Sequence, residues 1–198
     1  ATSLVDPIDF YKSLRRKNED AHAVMRRVTD MLIAFGTAQA AAGADVLTVS
    51  DPSGTGEILG ARYFEEFAVR YLNELIRGVR RAFPDMRFIV HICGQMKNVF
   101  GELRAVEADA FSFDAVVSLR EARKRLAPRK IMGNVSSFGL AFAPEERVEA
   151  MARAALNMGS DILAPACGLG TRSDIHSVQA LLRAAKRARG EDPLLCTV

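Results

Sequence analysis

The chain has 198 residues, 49% of them apolar and 26% charged, the balance of an ordinary globular domain able to bury a core. Its formal net charge of +3 is spread over helical faces such as Arg15, Arg16, Lys17, Arg26 and Arg27, or Lys186, Arg187 and Arg189, without interleaved aromatics, which argues against a nucleic-acid partner. No run reaches the roughly 18 uninterrupted apolar residues of a membrane span and the first residues carry no signal-peptide pattern, so the expectation is a cytoplasmic protein with no membrane partner.

In chain order, Asp6 and Pro7 open a helix as cap and first-turn proline, and a longer helix follows to Gly43. The first β-rich run is DVLTVSD (45 to 51). A helix near 61 to 82 then places Phe64, Phe67, Ala68, Tyr71, Leu72, Leu75 and Val79 on one stripe. RFIVHIC (87 to 93) and AFSFDA (110 to 115) are the second and third runs. Ser118 and Glu121 form a capping box that opens a short helix. KIMGNVS (130 to 136) is the fourth run, followed by a helix buried through Val148, Met151, Ala152, Ala155 and Leu156. DILAPAC (161 to 167) is the fifth, and a last helix from about Ser173 to Arg189 stops at Gly190.

Five β-rich runs alternating with helices predict an α/β fold with a parallel sheet. With no linker or low-complexity tract, residues 1 to 198 read as a single unit. Five units are too few for a closed barrel of eight, which takes about 250 residues. Three arrangements remain open: further N-terminal units lie outside this chain, the sheet is open, or two chains complete each other. An unpaired parallel edge at 45 to 51 is an association hazard, so it is expected to be covered, self-association through it being one way.

In a parallel barrel the active site lies at the C-terminal ends of the strands. Each run here ends on polar residues: Asp51; His91 and Cys93; Asp114; Asn134 and Ser136; Cys167. His91 and Cys93, two apart on a strand, project to one face, and Cys167 arrives at the same rim. One imidazole and two thiolates suit zinc and leave a fourth position open, while the alternative is buried cysteine as apolar filler. The three cysteines are odd in number and widely spaced, against a disulfide framework, and Cys196 in the tail is read as incidental, as is His176.

An open zinc position beside two thiolates binds an incoming thiol as thiolate, which points to alkyl transfer to sulfur. Hydrolysis by zinc-bound water is the competing use, but no Glu or His base is evident. Asp114 is a candidate acid/base or fourth ligand, or a loop cap. Asp51 is a second catalytic candidate, and Ser53, Asn134 and Ser136 are candidate substrate contacts. Asp51 and Ser53 equally fit a helix cap after the Gly-rich turn DPSGTGEILG, which lacks the GK[ST] ending of a phosphate loop.

The segments GADVLTVSDPSGTGEILGARYFEEF, HICG, GNVSS and PACG, in this order and followed by a terminal helix, resemble the uroporphyrinogen decarboxylase superfamily along nearly the whole chain. The resemblance implies a (β/α)8 barrel of which this chain supplies about the last five βα units, starting after the third strand, with the N-terminal third of the barrel absent. Decarboxylases of the superfamily carry His where Cys167 stands and lack His-x-Cys on the earlier strand. The methylcobamide:coenzyme M methyltransferase branch carries His-x-Cys and a later Cys as zinc ligands, matching His91, Cys93 and Cys167. It therefore implies methyl transfer from a methylated corrinoid on a partner protein to a thiol such as coenzyme M. Related enzymes use a folate acceptor or a methylated amine or ether donor. A decarboxylase of tetrapyrrole biosynthesis and a non-catalytic barrel fragment are the alternative expectations.

Overall fold

Local signals set the boundaries of the elements in the computed structural model, which describes residues 1–191; the expectation for Cys196 lies outside the described residues. The described residues form two compact units, the first made of Ala1–Val90 and Met96–Asp109, the second of His91–Gln95 and the described residues from Ala110 onward. Among the described residues no helix is long and apolar enough to cross a membrane.

In the first unit Asp6 caps helix α1 (Pro7–Arg16) by accepting the Asp9 N–H at 3.1 Å, as the Asp-Pro pair predicts. Helix α2 (Asn18–Ala41) follows and ends before Gly43, whose φ of 99° needs no side chain to oppose it. Strand β1 (Val46–Asp51) leads through a turn to α3 (Gly56–Tyr63), capped by the Thr55 hydroxyl. The stripe expected on one helix near 61 to 82 is buried, yet the backbone carrying it is not one α-helix. A π-helical turn (Phe64–Val69) separates α3 from α4 (Arg70–Arg80). Such a turn inserts one residue into the helical period, which a 3.6-residue template does not detect.

The π turn carries an interaction that the sequence reading did not anticipate. The His22 ring from α2 stacks on Phe67 with centroids 4.4 Å apart. Its Nδ1 lies 2.8 Å from the Tyr71 hydroxyl and its Nε2 3.1 Å from Glu66. The Glu66 carboxyl is held below its usual range, first by the Asn18 amide, against a smaller opposing effect of burial, and then by His22. Strand β2 (Arg87–Ile92), a 3-10 turn (Lys97–Val99) and α5 (Phe100–Leu103) follow. β1 stands at one end of the strand order; α1 and the first residues face it across a cavity of about 180 Å³ lined by Phe10, Tyr11, Leu14, Val49 and Ser53. Thr2 and Ser53 hydroxyls meet there at 2.7 Å, past the end of β1, while Val46, Thr48 and Ser50 of the strand are exposed.

In the second unit, β3 (Ala110–Phe113), buried at all four residues, pairs in parallel with β4 (Lys130–Met132), Ala110 opposite Lys130 and Ser112 opposite Met132. Between them Ser118 caps α6 (Leu119–Leu126) by accepting the Glu121 N–H. After β4 come α7 (Ser137–Phe142), α8 (Glu145–Asn157) and α9 (Ile175–Ala188), the last capped by Asp174 and ended at Gly190. Phe111, Phe113, Leu119, Leu126, Ile131 and Leu140 are almost fully buried and form its apolar core.

The strands belong to one four-stranded sheet in the order β1-β2-β3-β4. The fifth β-rich run, 161 to 167, is present as parallel pairing without a continuous strand: Met132 bridges Ile162 and Val135 bridges Pro165. Gly133, with φ 128°, takes β4 out of extended geometry between these bridges. The ladder nevertheless continues, through Gly133 N–H to Ile162 O, Val135 N–H to Ala164 O and Ala166 N–H to Val135 O, at 2.7 to 3.0 Å. An α/β fold with a parallel sheet and a bridged fifth run fits part of a (β/α) barrel.

Candidate metal centre

β2 delivers His91, and Cys93 follows directly past its end, where Gly94 with φ 75° turns the chain. The period of two along a strand puts both side chains on one face. Cys167 follows Ala166, whose N–H is bound to Val135 O, and its own carbonyl accepts the Ser137 hydroxyl at 3.2 Å. The three expected ligands are thereby brought together. His91 Nε2 lies 3.3 Å from Cys93 Sγ, Cys93 Sγ lies 3.7 Å from Cys167 Sγ, and all the ligand atoms fall within 4.8 Å of one another.

These separations can be compared with what one ion would require. With Zn–S near 2.3 Å and tetrahedral angles, two sulfurs on one zinc stand about 3.8 Å apart and a ring nitrogen roughly 3.6 Å from either. The sulfur pair sits almost on that edge and the His91–Cys93 pair is slightly inside it, while the His91–Cys167 pair lies within 4.8 Å. A disulfide would need about 2.05 Å, so the two cysteines are not bonded. The donor set, one imidazole and two thiolates, suits zinc and leaves a coordination position for a fourth ligand. Cys167 is exposed while His91 and Cys93 are half-buried, so the cluster is open to solvent at Cys167. Among the described residues no other group of three or more such side chains converges in this way.

The remaining strand-end residues make local bonds. Asp114 accepts the Gly94 N–H through Oδ2 and the Val116 N–H through Oδ1, both at 3.2 Å, and is not one of the converging ligand residues. Asn134, almost buried, donates to the carbonyls of Asp114 and Val117 at 2.8 and 2.9 Å. Ser136 caps α7 by accepting the Gly139 N–H. In the first unit, Asp51 accepts the N–H groups of Ser53 and Gly54 at 3.1 and 2.8 Å and so holds the turn before α3, whose cap is Thr55 and neither Asp51 nor Ser53. His176 contributes its backbone N–H to the Asp174 cap.

Sequence reasoning missed Ser112. Its hydroxyl, on the fully buried β3, lies 3.0 Å from His91 Nδ1. A lone Ser in an apolar run reads as filler, and only the neighbouring strand shows that a ring nitrogen faces it.

The family described as Uroporphyrinogen decarboxylase (URO-D) matches residues 1–188. The chain belongs to the uroporphyrinogen decarboxylase family. Within this family it is 27% identical over 187 residues to a protein of Methanosarcina barkeri named Methylcobamide:CoM methyltransferase MtaA, covering 93% of this chain and 54% of the relative. A Methanosarcina mazei protein named Methylated-thiol--coenzyme M methyltransferase is 29% identical over 169 residues, covering 85% of this chain and 45% of the relative. A protein of Xanthomonas campestris pv. campestris named Uroporphyrinogen decarboxylase is 31% identical over 126 residues, covering 63% and 35%. Among solved structures, a methyltransferase from Methanosarcina mazei superposes with a TM-score of 0.87 at 25% identity, covering 95% of this chain and 55% of that one. The chain thus spans about half the length of the curated methyltransferases it matches. The expected branch, with methyltransferases among its relatives, and the partial-barrel fold both stand.

Proposed function

We propose that this chain carries the metal centre of a zinc-dependent methyltransferase that moves a methyl group from a methylated corrinoid, held on a partner protein, to a thiol such as coenzyme M. The observation that carries the proposal is the convergence of His91, Cys93 and Cys167 within 4.8 Å, with the His91–Cys93 and Cys93–Cys167 separations close to the edges of a zinc tetrahedron. The names of the methyltransferase relatives support the donor and acceptor classes.

His91, Cys93 and Cys167 would hold the ion. When bound, zinc with an open position supplies a low-pKa site at which an incoming thiol is present as thiolate at neutral pH. The chain's own part is orientation. β2 and the Gly94 turn aim the first two ligands, while the 161–167 run and the Ser137 hydroxyl fix the backbone at the third. The exposure of Cys167 leaves a side open for thiol and methyl donor to approach. The proposal gives no chemical step to Asp51 or Asp114, and no substrate contact to Ser53, Asn134 or Ser136, because each has a local bonding role.

Elemental analysis of protein purified without added zinc, on the wild type and on Cys93→Ser and Cys167→Ser, tests the reading. About one zinc per chain, lost in both variants, is expected. A folded wild type that takes up no zinc overturns it. A second reading, decarboxylation of a tetrapyrrole, is favoured by the 31% identity to a named uroporphyrinogen decarboxylase, and that outcome would put it first.

A further inference from the structure

The geometry points to Ser112 as a positioning residue that holds the His91 ring at Nδ1 and accepts the proton of that nitrogen when Nε2 binds metal; this rests on the zinc site proposed above. His91 carries two ring nitrogens with different neighbours. Nε2 faces the sulfur of Cys93 at 3.3 Å, on the side where the ligand atoms converge, and Nδ1 faces the Ser112 hydroxyl at 3.0 Å. A neutral imidazole has one N–H and one lone pair, so it ligates through Nε2 only when the proton is on Nδ1. That proton then needs an acceptor, and the Ser112 oxygen stands in hydrogen-bond range of it.

Ser112 is suited to this task by its burial. It is 5% exposed and lies in β3, whose four residues are all buried, in register opposite Met132 on β4. The hydroxyl is therefore held by a paired strand, and its place beside the ring is fixed by the backbone rather than by a mobile loop. Metal-bound histidines commonly give their second N–H to a carboxylate, a carbonyl or water, and the first two, which have no proton to donate, favour one tautomer at all times. A hydroxyl differs, because it both donates and accepts. It can accept from Nδ1–H when Nε2 binds metal, and donate to Nδ1 when Nε2–H faces the Cys93 sulfur instead. The arrangement accommodates metal-free and metal-bound histidine with only a hydroxyl rotation and a proton exchanged with solvent.

The test is zinc affinity, measured by competition with a chromophoric chelator on the wild type, Ser112→Ala and Ser112→Thr, with urea unfolding of each metal-free protein alongside. Removing the hydroxyl is expected to weaken zinc roughly 10- to 100-fold, the usual effect of losing such a partner, while threonine keeps affinity within about threefold of wild type. In the cobalt(II)-substituted proteins the visible bands shift in the alanine variant and stay in place in the threonine variant. Unchanged affinity in Ser112→Ala overturns the inference while leaving the ligand set intact. So does an equal loss in both variants that tracks their loss of folding stability, which would make Ser112 a packing residue. A wild type that binds no zinc defeats the ligand set itself, and this inference with it.

Discussion

Asp114 Oδ2 accepts the Gly94 N–H at 3.2 Å, so a carboxylate from the loop after β3 holds the turn that carries Cys93. The second oxygen holds the Val116 N–H in its own loop. The residue read from sequence as an acid/base candidate thus ties two strand ends together beside the proposed ligands.

Truncating that tie, Asp114→Ala, should free the Gly94 turn and blur the position of Cys93. We expect zinc affinity to fall about tenfold and metal-free stability to drop by about 1–2 kcal/mol. Asp114→Asn retains an oxygen acceptor and should lose less of both. Chelator competition and urea unfolding check the pair; an Asn variant as impaired as Ala would mean that charge, not the tie, matters.

Gly133→Ala should be costly for two independent reasons. The residue has φ 128°, which L side chains rarely adopt, and a Cβ there would come within 3.2 Å of the Phe113 carbonyl oxygen. A loss of about 2 kcal/mol or more is expected in thermal or urea unfolding. A variant as stable as wild type would show that β4 reaches Val135 without this backbone conformation.

Asp161 gives the second unit an acid-sensitive point. Burial by itself would raise its carboxyl, but the Ile131 N–H at 2.8 Å, the Arg123 guanidinium and Lys130 together hold it below the ordinary value. With the folded value depressed, its contribution is complete above the unfolded pKa of about 3.9 and is lost as pH falls through the lower folded value. Asp161→Asn should therefore cost about 1 kcal/mol at neutral pH. The gap to wild type should close as the pH is taken below that of an ordinary carboxyl, as followed by urea unfolding across pH. A gap independent of pH would assign the effect to packing.

Much of the fold is written in short-range signals. Asp6-Pro7, Ser118 with Glu121, and Gly190 mark helix ends because caps act within one turn. The β-rich runs at 45, 87, 110 and 130 appear where apolar and β-branched residues cluster. The fifth run reads as a strand and is only bridged, because its continuity depends on the conformation of Gly133 in another segment. The π turn at Phe64–Val69 escaped because it shifts the helical phase without changing which residues are apolar. At the site, His91 and Cys93 were visible through their spacing of two and Cys167 through its place at a run's end. Ser112 was not, because its role is defined by a ring on an adjacent strand.

The 3.7 Å between the sulfurs of Cys93 and Cys167 would also make the proposed centre sensitive to its redox surroundings. Joining them requires an approach of only about 1.7 Å, with two electrons and two protons passing to an oxidant such as diamide. The bond so formed would consume two of the three proposed ligands, so crosslink and ion would compete for the same thiols. Protein handled in air should then lose capacity for zinc in step with its titratable thiols and recover it under reductant, whereas protein loaded beforehand should resist the oxidant.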